Sequence, residues 1–454
     1  MAIAQAPSIP PSAESQVPPS TGSPVPPSPE SSVLKRAVVA GLIGHFVEWY
    51  DYGVYAYVAT TLAVVFFNTS DPTTALLATF ATFSVAFFAR PVGGLVLGSL
   101  GDRIGRQRCL ALVVVLISLA TFSIGILPTY ASVGALAPAL LLGARLLQGF
   151  SAGGEIPGAT SFINEYAPDN RRGLLSSLLP LASAAGLLFG AALVTVLKSS
   201  LAESAFTSWG WRVPFLIALP LGLTGLYLRL RIEDTPLFKA LADAAEVDPT
   251  PIRSSITEQY RWIAVAFGTT LSYGVGFYVV LSYMPTYLSE VTDFGVWSMF
   301  AVTAAALVAH IISLPLCGAL SDRIGRKPVI MCGSIGLVLV TYPAFLMMAE
   351  GVLAYAIAAV AILGACIAAC AAPLFAFMAE LFPTRVRLSS VSIGYNLSVM
   401  TFGGTAPFIA TFLIDQTGSH VAPSFYLVAA AAGTLIALAL APEGECGGEP
   451  LRQT

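Results

Sequence analysis

Long apolar runs broken by short charged loops set the pattern of this chain. Runs of roughly 17–25 apolar residues cross a bilayer as helices. Twelve are expected, near 37–66, 74–99, 109–131, 134–164, 174–197, 212–230, 262–289, 296–320, 329–349, 352–379, 388–414 and 419–441. The sixth is short and the first and fourth are long, which implies tilt. One sizeable polar stretch, Arg229 to Arg261, interrupts the pattern and parts six spans from six.

A repeat crosses that divide. GSLGDRIGRQR at 98–108 and GALSDRIGRKP at 318–328 agree at seven of eleven positions, 220 residues apart. Glu165-Tyr-Ala-Pro168 before Arg171 and Arg172 likewise returns as Glu380-Leu-Phe-Pro383 before Arg385 and Arg387. Both elements recur six spans later, as in secondary transporters built from repeated halves that open to alternate sides. The expected fold class is therefore all-α: a polytopic membrane protein of 12 transmembrane helices in two pseudo-symmetric six-helix bundles. The bundles are expected at 35–230 and 262–441, joined by a cytoplasmic linker at 231–261, with a short tail at 442–454. Residues 1–34 hold nine prolines and eight serines. Such a segment buries too little apolar surface to fold and is expected to be a disordered cytoplasmic tail. It lacks the basic start and apolar core of a signal peptide.

Composition agrees with a lipid solvent. The 454 residues are 56% hydrophobic and only 10% charged, with mean hydropathy +0.79; soluble domains carry about 25% charged residues. The net charge of −3 implies no nucleic-acid partner. Of the 22 Lys and Arg residues, 18 fall in loops or tails on one side. The positive-inside rule makes that side, with both termini, cytoplasmic, in the plasma (inner) membrane. The six cysteines form no disulfide framework. Cys366 and Cys370 share a helix face, but no further ligands lie nearby, so helix packing is the expected role and no metal or cofactor is implied.

In GDRIGRQR the glycines permit a tight turn between helices. Asp102 is placed to accept from a neighbouring helix N-terminus or from Arg106. With Arg103, and with Asp322, Arg323 and Arg326 of the second copy, it forms a candidate gate that holds one face shut. A purely topogenic basic loop explains the same residues.

The loop resembles the 2–3 loop signature of the major facilitator superfamily, with its echo at 8–9. Four strings resemble, more narrowly, the metabolite:proton symporter family: GHFVEWYDYGVYAY (44–57), ARPVGG (89–94), RLLQGFSAGGE (145–155) and WGWRVPF (209–215). Residues 215–238 and YMPTYLSE (283–290) are most similar to the proline/glycine betaine branch. The resemblance covers 36–441 and implies the major facilitator fold and proton-coupled symport. Three departures stand out. His45 replaces the family's usual Asn, Ile156-Pro157 follows Glu155, and Arg145 fits the organic-acid branches where the proline/betaine branch has Lys. The 13 residues after span 12 lack heptads, so coiled-coil osmosensing is not implied.

Five charges fall inside spans: Glu48, Asp51, Arg90, Arg145 and Glu155. Exposing all five to lipid would cost on the order of 15 kcal/mol on insertion scales, so they must pair or face a shared cavity. Glu48, Asp51, Tyr52 and Tyr55 line one face of span 1, and Arg145, Gln148, Ala152 and Glu155 one face of span 4. A common cavity is expected, against span 7 or 11. Three carboxylates against two guanidiniums leave one negative charge in excess, and such a carboxylate in low dielectric prefers to carry a proton. Glu48 and Asp51 are the first candidates for coupling, then Glu155, with His45 one turn before Glu48 as modulator. Packing ion pairs are the bland alternative. His310, alone in span 8, fits a hydrogen-bonded core histidine better than a transport role.

The expected function is proton-coupled uptake, by alternating access, of a small zwitterion such as proline or glycine betaine. The expected partners are that substrate, protons and the lipid bilayer. Aromatic faces attract quaternary ammonium groups, and Arg90 or Arg145 suits the carboxylate. Tyr52, Tyr55, Gln148, Tyr278 and Asn396 complete the candidate substrate set. The same arginines suit an organic acid such as 2-oxoglutarate, citrate or shikimate, which is the runner-up. A drug/proton antiporter shares the architecture. Three scattered histidines without a nucleophile–base or metal cluster argue against an enzyme, and short tails against a sensor.

Overall fold

The structure, a computed structural model, describes residues 31–68, 71–104, 106–156, 159–160, 163, 167–230, 251–382, 387–441, 445–446 and 449–450. Only the backbone is described at 31–41, 98–99, 101–104, 106–107, 169, 229, 251–254, 387–388, 445–446 and 449–450. The tail at 1–30, the linker at 231–250, Glu165 and Arg385, and the side chains of Asp102, Arg103, Arg106 and Arg387 therefore lie outside the described residues.

Helices dominate because lipid offers no partner to a backbone N–H or C=O. Twelve elements follow in order: α1 (Ser31–Phe66), α2 (Pro72–Ile104), α3 (Arg106–Ile126), α4 (Leu136–Ala152), α5 (Arg172–Ser200), α6 (Arg212–Leu230), α7 (Tyr260–Ser282), α8 (Val296–Ile324), α9 (Arg326–Ala349), α10 (Leu353–Leu381), α11 (Ser389–Thr417) and α12 (Ala422–Leu440). Among the described residues, nine helices meet the length and apolarity of a membrane span, or ten when Glu203–Gly210 is joined to Arg212–Leu228 across a 44° bend. The 36-residue α1 and the shorter apolar α4 complete the twelve. Among the described residues, a two-residue antiparallel pair, Glu445–Cys446 with Glu449–Pro450, is the one departure from all-α.

Helix packing repeats with the sequence. α1 packs on α5 and α6, α2 on α4, and α3 on α6. Six spans later α7 packs on α11 and α12, α8 on α10, and α9 on α12. The seams between the two sets match in the same way, α5 against α8 and α2 against α11.

Three spans differ from the expected unbroken helices. The α7 stretch expected at 262–289 passes through a wide π turn at Phe277–Ser282 and restarts as Met284–Val291. α11 carries a similar turn at Val399–Gly403. α4, expected to run unbroken through 134–164, is interrupted by a turn at Gly153-Gly154 and is helical again at Glu155-Ile156. Wide turns interrupt the regular backbone ladder and often mark functional positions.

Candidate functional site

Glycine spacing on α4 brings the charged stripes together. Gly149 and Gly153, one turn apart, face Ala86 and Arg90 of α2 so closely that a Cβ at either would collide with those backbone carbonyls. Small residues at this spacing let two membrane helices approach to backbone contact. Arg90 and Arg145 are thereby held inside one bundle, both at 0% exposure.

Two ion pairs result. Arg90 Nη2 donates to Glu48 Oε1 at 2.7 Å and to the Tyr52 hydroxyl at 2.7 Å. Arg145 Nη1 donates to Asp51 Oδ2 at 3.1 Å and to Gln148 Oε1 at 2.7 Å, and Gln148 in turn donates to Thr121 at 2.8 Å. The Arg145 guanidinium also lies 4.1 Å from the Tyr55 ring centre, and that of Arg90 lies 4.7 Å from the Phe87 ring centre. Such stacking stabilises a desolvated cation. Arg90 Nε and Nη1, and Arg145 Nε and Nη2, have no hydrogen-bond partner among the described residues.

The third carboxylate joins the Arg90 side. Donor atoms of His45, Glu48 and Glu155 all lie within 4.8 Å of one another, and all three residues are buried. His45 Nδ1 is 3.8 Å from Glu48 Oε2. Three such donors suit a cation, but Arg90 already places a fixed positive charge on Glu48.

An aromatic wall separates these charges from the second half. Trp49 meets Phe277 at 4.6 Å and Tyr278 at 5.8 Å between ring centres. Phe87 meets Tyr278 at 5.2 Å, and Ser84 donates to the Gly404 carbonyl of α11 at 2.9 Å. The charged stripes thus face spans 7 and 11 across the seam. Trp49 Nε1 and the Tyr278 hydroxyl are buried without a hydrogen-bond partner among the described residues.

Other candidates sit further from this centre. The Tyr55 hydroxyl donates to the Thr79 carbonyl at 2.9 Å, which leaves its ring as the working surface. Asn396 donates to Ser392 on its own helix at 3.1 Å, whereas its neighbour Tyr395 lies within electrostatic reach of Arg90, Glu48 and Tyr52. His310 Nδ1 is 3.1 Å from the Gly364 carbonyl and edge-on to Phe277, in keeping with a core histidine.

The second copy of the repeated loop bonds across the seam between the two sets of helices. Asp322 accepts from the backbone N–H groups of Gly173 and Leu174 at 2.8 and 2.9 Å, at the start of α5. A carboxylate is favoured there by the orphan N–H groups and the helix dipole. Arg326 donates to Asp322 at 2.6 Å and to Glu380 at 3.2 Å, while Arg323 is exposed.

Several residues were not legible beforehand as part of the site. Phe83 and Phe87 fall at i, i+4 and Arg90 at i+7 on α2, a face readable from spacing. Thr121 is one of three hydroxyls in its apolar run, with Ser118 and Ser123, and nothing in the sequence singles it out. Lys198, read only as a topology marker, donates to the Tyr57 carbonyl at 3.0 Å. It lines a cavity of about 80 Å³ with Thr60, Thr195, Thr286 and Ser289. A cavity of about 110 Å³ bordered by Tyr283, Glu290, Thr411 and Asp415 lies on the other side of Met284–Val291. Both sit at the end of the bundle away from the basic loops.

Comparisons with known proteins agree with this architecture. The family described as Sugar (and other) transporter matches residues 37–259, and the Major Facilitator Superfamily matches residues 297–445. The Proline/betaine transporter of Escherichia coli (strain K12) is 37% identical over 412 residues, covering 89% of this chain and 82% of that protein. The Glycine betaine/proline/ectoine/pipecolic acid transporter OusA of Dickeya dadantii is 36% identical, covering 87% and 80%. The Ectoine/proline transporter ProP of Corynebacterium glutamicum is 37% identical, covering 87% and 81%. Among solved structures, the proton:xylose symporter XylE bound to 6-bromo-6-deoxy-D-glucose aligns with TM-score 0.76 at 19% identity, covering 93% of this chain and 98% of that one. XylE from E. coli in a partially occluded inward-open conformation aligns with TM-score 0.68 at 21% identity, covering 90% and 97%. At that identity the likeness establishes the fold.

Proposed function

The chain belongs to the major facilitator superfamily and, within it, to the family of the proline/betaine transporters, and from that membership we propose proton-coupled uptake of a small zwitterionic solute such as proline or glycine betaine. The basic loops face the cytoplasm, both termini with them, and the two six-helix bundles at 35–230 and 262–441 rock about the buried centre. The substrate binds at the seam where α1 and α2 meet α7.

One observation carries this reading: a buried arginine with unspent donors stands beside an aromatic wall. Among the described residues Arg90 keeps Nε and Nη1 without hydrogen-bond partners, and it lies against Phe87, which packs on Tyr278. A zwitterion needs this combination, a guanidinium for its carboxylate and aromatic faces for its onium group. The Trp49 N–H and the Tyr278 hydroxyl are further buried groups suited to the carboxylate.

The charge balance separates the two substrate classes. Among the described residues, three carboxylates and two guanidiniums meet at the centre, an excess of one negative charge that disfavours a di- or tricarboxylate. A zwitterion arriving with one proton leaves it neutral. The test is a panel in proteoliposomes: glycine betaine, proline, 2-oxoglutarate, citrate and shikimate, each with and without a pH gradient. Gradient-dependent uptake of betaine or proline alone is expected. Uptake of the organic acids alone would overturn the assignment.

A further inference from the structure

We infer that the cavity at Lys198 is a docking station for the carboxylate of an incoming solute, at the end of the seam away from the basic loops. The inference rests on the transport role proposed above and adds a first contact ahead of Arg90 on the substrate's way in.

Lys198 stands in the last turn of α5, at the end of the molecule where Lys and Arg are scarce. A lysine near the end of a membrane helix ordinarily runs its chain out to water. This one turns into the bundle. It is part-buried, donates to the Tyr57 carbonyl of α1 at 3.0 Å and holds its ammonium 5.5 Å from the centre of the Phe206 ring. Among the described residues no carboxylate is its partner. An ammonium has three donor hydrogens, and Tyr57 takes one. Arg212, the other cation at this end, is committed to the Gly125 and Leu127 carbonyls at 2.9 and 2.6 Å.

The cavity that Lys198 faces suits an anion. Its volume is about 80 Å³. About 10–15 Å³ of such space holds one water, so a carboxylate fits with water around it. Thr60, Thr195, Thr286 and Ser289 give the cavity hydroxyls, and neither Asp nor Glu lines it. Thr195 and Ser289 donate to the Ala191 and Thr286 carbonyls, which leaves Thr60 and Thr286 to donate beside the ammonium. The cavity on the other side of Met284–Val291 has the opposite sign, with Glu290 and Asp415 on its border. A carboxylate arriving at this end therefore finds its counter-charge at Lys198.

Position makes the cavity a station on a path. Residues of α1 and α5 line one side, and residues of Met284–Val291 and the start of α8 line the other. It thus lies in the seam that rocking of the two bundles would widen. Tyr57 follows Tyr52 by five residues, about 7.5 Å along α1, and the Tyr52 hydroxyl accepts from Arg90. A carboxylate leaving Lys198 meets the Arg90 guanidinium further along the same helix, so it is never far from a compensating charge in low dielectric.

The experiment labels the full-length wild-type protein in proteoliposomes, in sulfate buffer, with a membrane-impermeant N-hydroxysuccinimide ester. Acylation of Lys198 is followed by peptide mass spectrometry. Acetate and proline are each expected to slow it at least about threefold, whereas choline, an onium without a carboxylate, leaves the rate unchanged. Equal rates throughout, or equal protection by choline and proline, would overturn the assignment. So would protection by chloride with acetate and proline without effect, the mark of a halide site. Uptake gives the second readout. Lys198→Gln keeps a donor for the Tyr57 carbonyl and removes the charge. It is expected to raise the KM for proline and glycine betaine about tenfold, the scale of one charge-assisted hydrogen bond, with a smaller effect on Vmax. Lys198→Arg is expected to bring KM back to within about threefold of wild type. A wild-type KM in Lys198→Gln would overturn the assignment; if that variant does not fold, the acylation rates decide, since they need no substitution. Wild-type uptake reports on the transport reading by itself: if neither solute enters, that reading fails, while protection of Lys198 still decides the site.

Discussion

Arg145 is gripped from three directions, by Asp51, by Gln148 and by the Tyr55 ring below it. A guanidinium at 0% exposure survives only because those groups replace its water. Removing one partner leaves a buried charge uncompensated, which typically costs about 3–5 kcal/mol. Asp51→Asn is accordingly expected to lower the melting temperature in detergent, followed by fluorescence-detected size exclusion. Adding Arg145→Gln should recover much of the loss. Trp49 supplies a second test at this scale. If its ring faces an onium group, Trp49→Leu should weaken glycine betaine uptake about three- to tenfold, the scale of one cation–π contact. Proline, whose ammonium also makes hydrogen bonds, should lose less, and the ratio of the two KM values checks this. The charges were readable from the sequence because any Glu or Arg within an apolar run announces itself. Their pairing was not: i, i+3, i+4 spacing says that Asp51 and Arg145 share a cavity, not that they touch.

At the scale of elements, the repeated loop acts through its carboxylate. Asp322 ties the 8–9 loop to the first turn of α5 with two backbone hydrogen bonds, and Arg326 braces it from the next turn. Hydrogen bonds to a charged group are worth about 1.5–3 kcal/mol each. Asp322→Asn is therefore expected to open this face more often. Ser177→Cys, placed where α5 meets Gly318, should be labelled by an impermeant maleimide at least about tenfold faster in that background. Equal rates would remove the latch role. From the sequence, a carboxylate accepting from a helix N-terminus is expected at Asp102 of the first copy; the structure shows such a contact at Asp322 of the second, where Ser321 precedes it. The wide turns in α7 and α11 were not legible, since Phe277–Ser282 and Val399–Gly403 look like ordinary apolar helix and only packing across the seam reveals the break. The break of α4 at Gly153-Gly154 was half legible, as paired glycines signal either close packing or a turn, and here they do both.

The whole molecule combines a symmetric frame with an asymmetric centre. Packing pairs recur six spans apart, and the seams α5–α8 and α2–α11 mirror one another. Among the described residues, the buried ion pairs at the centre, by contrast, belong to α1, α2 and α4, while α7 and α11 contribute aromatic rings and hydroxyls. One half thus provides the buried charge, and the other faces it with aromatic rings. The frame was legible because its repeat is written in loop residues that water and topology constrain. The wall was less so, because an aromatic residue in a membrane helix looks the same whether it packs, anchors or binds.

Accumulation in proteoliposomes tests the central claim most directly. With an inside-alkaline gradient imposed, glycine betaine or proline is expected to rise above its external concentration and to fall back when a protonophore is added. Accumulation indifferent to the gradient, or movement outward only, would contradict proton-coupled uptake.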